Sequence, residues 1–591
     1  MKRQKKRQAN RQIASRALPL SKTSGGPKAQ EVDNVRRFLP ASWHHGWLYC
    51  IFLFIATLIA YLPVWHAGFA WDDDRYVTNN FTLRSLEGLR QIWFEPGVTS
   101  QYYPLTFTVF WLEYHLWGLN PLGYHLVNVL LHSLNAILLW QILRRLHVPE
   151  AWLAGAIFAL HPVNVMSVAW ISELKNTLAT ALALGAGYAY LRFSVFDRDE
   201  SAKNLGNDQQ LRWRYYILSL VLFLLAMCAK TAVSFLPVTL LLVLWWKRGR
   251  INRRDVLTVI PMIGIVIAMG LTTISMEHHS EAITGGKFNV NFLGRVLISG
   301  RSFWFYLGKL FFPYQLTFIY ERWKINTESA WQYAYPAATL ALLVALWATR
   351  RRIGRGLWVA AMHFYICTSM LVLIMILYMM RYTFVSDHWQ YFGCMSIIAV
   401  AAAGITQLLN AEKVARIWSM SIIAGLLLGL GTLTWRQCGM YANLETLWLT
   451  TLARNPEAFI AHDDLGIILV HEGRLDEAIA HFKMALKIQP DDVMAQDNLG
   501  NALLQKGDVD DAIICFQRTL EIQPDHAMAL SGLGEALLEK GRIDEAIGKF
   551  QEALKLTPNL DIAHRNLDLA LKLKEQTMTQ TNRVLWQNID H

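Results

Sequence analysis

Apolar stretches of the length that crosses a bilayer as one helix recur through the first three quarters of this chain. They fall at about 47–66, 122–143, 150–170, 174–193, 215–231, 233–247, 256–276, 331–349, 357–380, 389–409 and 417–435. The pattern predicts about eleven spanning helices. A further apolar stretch, 297–313, carries Arg301 and Lys309 and reads as interfacial or re-entrant. Basic clusters alternate between the stretches: Arg144 and Arg145, Arg192 to Arg214, Lys247 to Arg254, Arg350 to Arg355, and Lys413 with Arg416. The positive-inside rule makes these clusters and the N-terminus cytoplasmic. Loops 67–121, 277–330 and 381–388 then face the other side, with everything after the eleventh span.

Beyond residue 440 the periodicity changes. Pro456, Pro490, Pro524 and Pro558 are spaced by one fixed step. The same step relates Leu465-Gly466, Leu499-Gly500 and Leu533-Gly534, with Leu567-Asp568 as a degenerate last member. Gly473, Gly507 and Gly541 keep it, as do Ala478, Ala512 and Ala546, and Phe482, Phe516 and Phe550. A period of about 34 residues with these residue types is the tetratricopeptide (TPR) signature, helix pairs stacked into a solenoid. Full repeats are expected at 459–492, 493–526 and 527–560. A leading half-repeat near 442–456 puts Trp448 in the Phe482 column, and a capping helix is expected over 561–574. The fold class is therefore all-α, a polytopic membrane helical bundle followed by a TPR α-solenoid.

Composition agrees: 53% of 591 residues are hydrophobic, 17% are charged and 23 are tryptophan, which excludes a large soluble enzyme. The net charge of +11 is concentrated in residues 1–37, where eleven Lys/Arg face Glu31 and Asp33. Beside a span, such an arm reads as a cytoplasmic anchor toward anionic lipid and not as a nucleic-acid tail. The first apolar run starts late and is long enough to span, so no cleavable signal is expected. The six cysteines show no metal or disulfide spacing. The divisions are a basic disordered tail (1–40), a transmembrane domain (41–436) with its first outer loop (67–121), a TPR domain (437–574) and a C-terminal tail (575–591).

The candidate chemistry lies at outer membrane ends. The first outer loop carries Trp71-Asp72-Asp73-Asp74-Arg75-Tyr76 and then Asn80. Adjacent carboxylates raise one another's pKa, which suits a general base or a metal ligand, although acidic triplets usually cap turns. Residues 105–117 suggest an amphipathic helix in the interface. His161, Glu173, Lys175, Lys230, Lys309, Tyr320, Asp387, His388 and Tyr391 fall at other outer ends. Cations there suit a departing phosphate, and a carboxylate suits activation of a hydroxyl. Each alone is more often a snorkelling or structural group.

From about residue 47 to 573 the chain resembles the transmembrane-and-TPR (TMTC-like) family of the GT-C superfamily of lipid-dependent glycosyltransferases, in a bacterial form. Asp72 and Asp73 with Asn80 carry the resemblance, as do His161-Pro162-Val163, the Val168 to Glu173 run, Lys230 with Pro237, and Asp387-His388-Trp389 followed by Tyr391. The chain departs from the pattern at Asn164 and Met166, where His and Glu often stand, and at His388, usually Arg. The resemblance implies inverting transfer of a sugar from a polyprenyl-phosphate donor to protein hydroxyls on the periplasmic or luminal side. Asp72 or Asp73 would be the base, with a divalent metal (Mg or Mn) held there if one is used. His161, Lys175, Lys230, Asp387 and His388 would meet the donor phosphate. Asp74, Asn80, Glu173, Lys309, Tyr320 and Tyr391 would line the substrate site, and the TPR groove would dock the acceptor polypeptide. A bacterial inner membrane is expected before an ER membrane. The alternatives are a non-catalytic membrane-anchored TPR scaffold and a lipid-glycan ligase or polymerase.

Overall fold

A computed structural model describes residues 46–194, 207–277, 290–374, 381–411 and 414–589. The basic tail expected over 1–40 lies outside them. The membrane body opens with α1 (Gly46–Ala60). The first outer loop follows, with α2 (Leu86–Phe94) and α3 (Pro104–Trp117). Next come α4 (Pro121–Arg145), α5 (Ala151–Leu160), α6 (Val165–Ala169), α7 (Leu174–Ser194), α8 (Asn207–Ala229), α9 (Leu236–Arg248) and α10 (Arg253–Glu277). The body closes with α11 (Phe292–Phe311), α12 (Ala334–Thr349), α13 (Gly356–Thr368), α14 (Met370–Ile374), α15 (Cys394–Ala411) and α16 (Arg416–Cys438). No strand occurs among the described residues.

Each expected apolar stretch meets a helix, but fewer than eleven qualify as spans. Among the described residues six helices are long and apolar enough to cross a membrane, and α5 with α6 make a seventh if a pair bent by 55° counts as one. The helices at 46–60 and 356–368 are apolar but shorter. The bend has a local cause: Pro162 follows His161, whose extended backbone ends α5. Apolar side chains such as Ile267, Leu271, Ile417 and Leu428 stand exposed, as lipid contact requires. Helix α3 buries Phe107 and Phe110 and exposes Leu112 and Leu116, so it is apolar on both faces and lacks the amphipathic pattern expected over 105–117.

The solenoid follows its period. Helix α17 (Leu444–Arg454) precedes three antiparallel pairs: α18 (Phe459–His471) with α19 (Leu475–Ile488), α20 (Val493–Lys506) with α21 (Val509–Ile522), and α22 (Ala527–Glu539) with α23 (Ile543–Leu556). Each column proline stands two residues past a helix end. The glycine column is steric. A Cβ at Gly466, Gly500 or Gly534 would come within 2.5, 2.8 and 2.7 Å of the rings of Phe482, Phe516 and Phe550. The last helix, α24 (Asp561–Ile589), runs 29 residues, through the segment expected as a tail. No Gly or Pro interrupts 561–589, so nothing in the sequence stops it.

The solenoid is fastened to the membrane body. The Gly68 N–H donates to Ala442 O (3.2 Å), and Asn455 Nδ2 to Ile319 O (3.3 Å). The Arg381 guanidinium pairs with Asp492 at 2.7 Å. Trp448, fully buried, stands 6.1 Å from Trp71 and 5.5 Å from Phe318, ring to ring. Gly500→Ala is expected to lower the solenoid's unfolding temperature, since overpacking a tight core costs about 1–3 kcal/mol; Asp510→Ala on the outer face serves as the reference in a thermal melt of the full chain.

Candidate active site

The break between α6 and α7 puts Trp170 to Asn176 at the base of the first outer loop, and Glu173 is its centre. Its carboxylate is 1% exposed. Oε1 lies 3.1 Å from Lys175 Nζ, and Oε2 lies 3.1 Å from Lys230 Nζ. Asn176 Nδ2 donates to Oε2, and His388 Nε2 is 3.9 Å from Oε1. Burial by itself raises a carboxyl. Here His388, Lys175 and Lys230 outweigh it and hold Glu173 well below the usual carboxylate range. Burial pushes His388 down to about 3, so near neutral pH its ring is uncharged and the two ammoniums are the cations beside Glu173. Lys175 also donates to Tyr76 OH (3.1 Å) and lies 4.3 Å from that ring's centre. His388 Nδ1 shares a hydrogen bond with Ser386 Oγ at 2.8 Å.

Lys230 and His388 open on a cleft with Asn176 at the same polar end. Ala179, Val233, Trp389 and Phe392 make its apolar walls.

The three loop aspartates separate by role. Asp73 is 1% exposed and accepts from Ala70 N and Ser172 N, both at 2.7 Å. It staples the loop to the α6–α7 break. Burial pushes its carboxyl up to about 7 against those two donors. Each of its oxygens is engaged by a backbone N–H, whereas a general base needs a free lone pair. Asp74 accepts from Thr78 Oγ1 (2.9 Å) in an exposed turn. Asp72 is half-buried, and its carboxylate accepts no hydrogen bond among the described residues. Burial raises its carboxyl, while Lys175 and Arg75 pull it back. It is the carboxylate left free beside the Lys175–Glu173 pair.

Other expected residues hold the framework. His161 accepts Val163 N at Nδ1 (3.3 Å) and donates from Nε2 to Leu310 O (2.9 Å), so both nitrogens are used within the protein and neither meets a phosphate. Asn80 caps the turn at 81–84 through Thr82 N and Thr82 Oγ1. Lys309 donates to Tyr314 O (2.7 Å). Tyr391 OH meets His132 Nδ1 at 2.7 Å and Asn135 Nδ2 at 3.1 Å in the interior. Asp387 accepts from Tyr320 OH at 2.9 and 3.1 Å, and burial pushes its carboxyl up to about 7. It pairs with Tyr320 and not with the Glu173 group. Tyr76 and Asn176 belong to the site but were not among the expected residues. Their signals were faint: Tyr76 closes the acidic run, and Asn176 lies one helical turn after Glu173.

A divalent metal does not fit these donors. Among the described residues no three His, Cys, Asp or Glu side chains converge on one point, and Asp73 is held by backbone N–H groups.

Fold and site together define a multi-pass membrane protein with a buried ionic centre beneath an outer loop and a TPR solenoid against that loop. Family models described as tetratricopeptide repeat and TPR repeat match residues 498–561 and 466–507. The chain is similar to the protein O-mannosyl-transferase Tmtc1 of Drosophila melanogaster, 30% identical over 192 residues, 30% of this chain and 21% of that protein. It is also similar to the protein O-mannosyl-transferase F38B6.6 of Caenorhabditis elegans, 30% identical over 150 residues, 23% of this chain and 22% of that protein. The matches thus span about a fifth of these relatives' length. Among solved structures, MamA matches at 22% identity and TM-score 0.22, over 24% of this chain and 76% of that one. These findings support likeness to the TMTC proteins.

Glu173→Gln would leave two buried ammoniums without their counter-charge. Removing one partner of a buried ion pair costs about 3–5 kcal/mol, and a loss of that size is expected in denaturant unfolding of the purified protein. Lys230→Met with Glu173→Gln should recover part of it.

Proposed function

We propose that this protein is a membrane glycosyltransferase of the GT-C kind, which moves a sugar from a polyprenyl-phosphate donor to hydroxyl groups of proteins. The names of the similar relatives make mannose the first sugar to test. The observation that carries the reading is the free carboxylate of Asp72 beside an ionic centre whose Lys230 opens on an apolar-walled cleft. The donor's phosphate sits at Lys230 with its isoprenoid chain along Val233 and Phe392. The acceptor oxygen attacks the anomeric carbon as Asp72 takes its proton. The carbon–oxygen bond to phosphate breaks, and the phosphate leaves with its charge met by the Lys230 ammonium and the His388 N–H. Attack opposite the leaving group inverts the anomeric centre. Asp73 acts through position, holding the loop so that Asp72 stays within reach of the acceptor.

The alternation of basic loops supports a cytoplasmic N-terminus, with loop 67–121 and the TPR solenoid on the periplasmic or luminal side. Protease added from the cytoplasmic side of sealed vesicles is expected to spare the solenoid; digestion of residues 442–589 there would refute this orientation.

The catalytic reading is tested on the full chain in lipid nanodiscs with polyprenyl-phosphate-mannose and a Ser/Thr peptide. Asp72→Asn should cut turnover by about 100- to 10,000-fold with donor binding kept, the usual effect of losing a general base. Lys230→Ala should chiefly raise the donor KM, through loss of a charge-assisted phosphate contact. Wild-type turnover in Asp72→Asn would sink the assignment.

A further inference from the structure

The first helices of the repeats (α18, α20, α22) and α24 touch one another in succession and form the inner side of the solenoid. Their facing positions repeat at the 34-residue step: Asp463, Asp497, Ser531 and Arg565 in one column, Asp464, Asn498, Gly532 and Asn566 in the next. Amides bridge carboxylates along this side. Asn498 donates to Asp463 (3.1 Å), Asn501 to Asp497 (3.2 Å) and Asn566 to Glu535 (3.3 Å).

Hydrogen-bonding capacity is left over. Asp497 is 5% exposed and Ser531 2%, yet Asp497 Oδ1 and Ser531 Oγ have no partner, and neither has Asp464 Oδ2. Buried polar atoms are seldom left so without a ligand to meet them. The groove's near end runs to the catalytic loop, since Asp464 feels the charges of Asp72, Asp74 and Arg75. Burial, with Asp463 and Asp72 nearby, raises the Asp464 carboxyl well above the usual range, and burial pushes Asp463 to about 6. Arg381 stands at this end but is held by Asp492, and Arg565 is exposed at the far end. Between them the inner side carries carboxylates without matching cations.

We propose that this groove binds an extended acceptor segment bearing spaced Lys or Arg side chains, whose cations meet Asp464 and Asp497 while the asparagines hydrogen-bond its backbone. The proposal rests on the reading that the solenoid docks the acceptor, and it adds the charge class and the mode of binding. An extended backbone offers a donor and an acceptor at every residue, which suits side-chain amides repeated along successive helices. The segment's end at Asp464 delivers its hydroxyls toward Asp72.

The test uses the full chain in nanodiscs of phosphatidylcholine, which keeps cationic peptides off the lipid. Three extended Ser/Thr peptides of equal length, with Lys/Arg, Gln or Glu at the spaced positions, are titrated by fluorescence anisotropy. The Lys/Arg peptide is expected to bind about tenfold or more tighter than the Gln peptide, with the preference shrinking as salt screens the charges. Asp497→Asn and Asp464→Asn, close in shape to the parent residues, should each reduce that preference. Asp510→Asn on the outer face should leave it intact. Equal binding of the Lys/Arg and Gln peptides, or an unchanged preference in both groove variants, overturns the proposal. Because the readout is binding, a retained preference without sugar transfer would uphold the groove and refute the catalytic reading instead.

Discussion

A buried carboxylate between two ammoniums organises this molecule. Glu173 meets Lys175 and Lys230 at 3.1 Å each, from separate elements: the start of α7 and the junction after α8. Desolvating these charges is costly, and the centre persists because nearly every lone pair has a donor. The broken helix that presents Glu173 is satisfied in turn. Asp73 accepts Ser172 N, while Asn128 donates to Trp170 O (3.4 Å) and Ile171 O (3.3 Å). Irregular backbone at membrane depth is tolerated where protein encloses it, and here the enclosing groups are the ones the site uses.

The same loop that carries Asp72 joins the membrane body to the solenoid. Trp71 adopts a left-handed backbone conformation (φ 46°) and sits among Trp170, Phe318, Tyr382 and Trp448, with ring centres 5.4 to 6.1 Å away. Trp448 belongs to the half-repeat, and Tyr382 stacks on Phe459 of the first full repeat at 5.7 Å. A shift of the solenoid therefore pulls on Trp71 and, one residue on, on Asp72. Under the proposed function, such coupling holds the docking surface and the base in one frame, the condition under which binding distant parts of a large acceptor speeds reaction at one hydroxyl.

Features set by short-range pattern were legible in the sequence. The all-α class and the repeat boundaries followed from periodicity, because span length and the glycine–phenylalanine contact leave direct residue signals. The count of strictly qualifying spans fell short of eleven because α1, α12 and α13 are shorter than their apolar windows and α7, though 21 residues long, is not apolar enough. Roles inside the acidic run were not legible. Asp72 and Asp73 are chemically identical neighbours, and a tight turn alone sends one to two backbone N–H groups and leaves the other free. His161 reads as a phosphate contact and Lys309 as a substrate-site group, yet the first bonds the distant carbonyl of Leu310 and the second the nearby carbonyl of Tyr314. Asp387 and His388 are adjacent in sequence but face different partners, Tyr320 and Glu173.

Under the proposed function, the charge balance at Glu173 accounts for a site that stands ready without donor and still favours departure of its phosphate. Lys175 is held by Glu173 and Tyr76 together, whereas Lys230 has a single carboxylate partner and an open side toward the cleft. A phosphodiester approaching that side shares Lys230 with Glu173 and needs no large rearrangement. As the sugar–oxygen bond breaks, negative charge on the phosphate grows and competes better for the ammonium. The interaction is then stronger in the transition state than in the ground state, which is what accelerates a chemical step. His388 fits the same logic as a neutral N–H donor. It contributes a hydrogen bond without adding a third positive charge to a buried site where one carboxylate already faces two lysines.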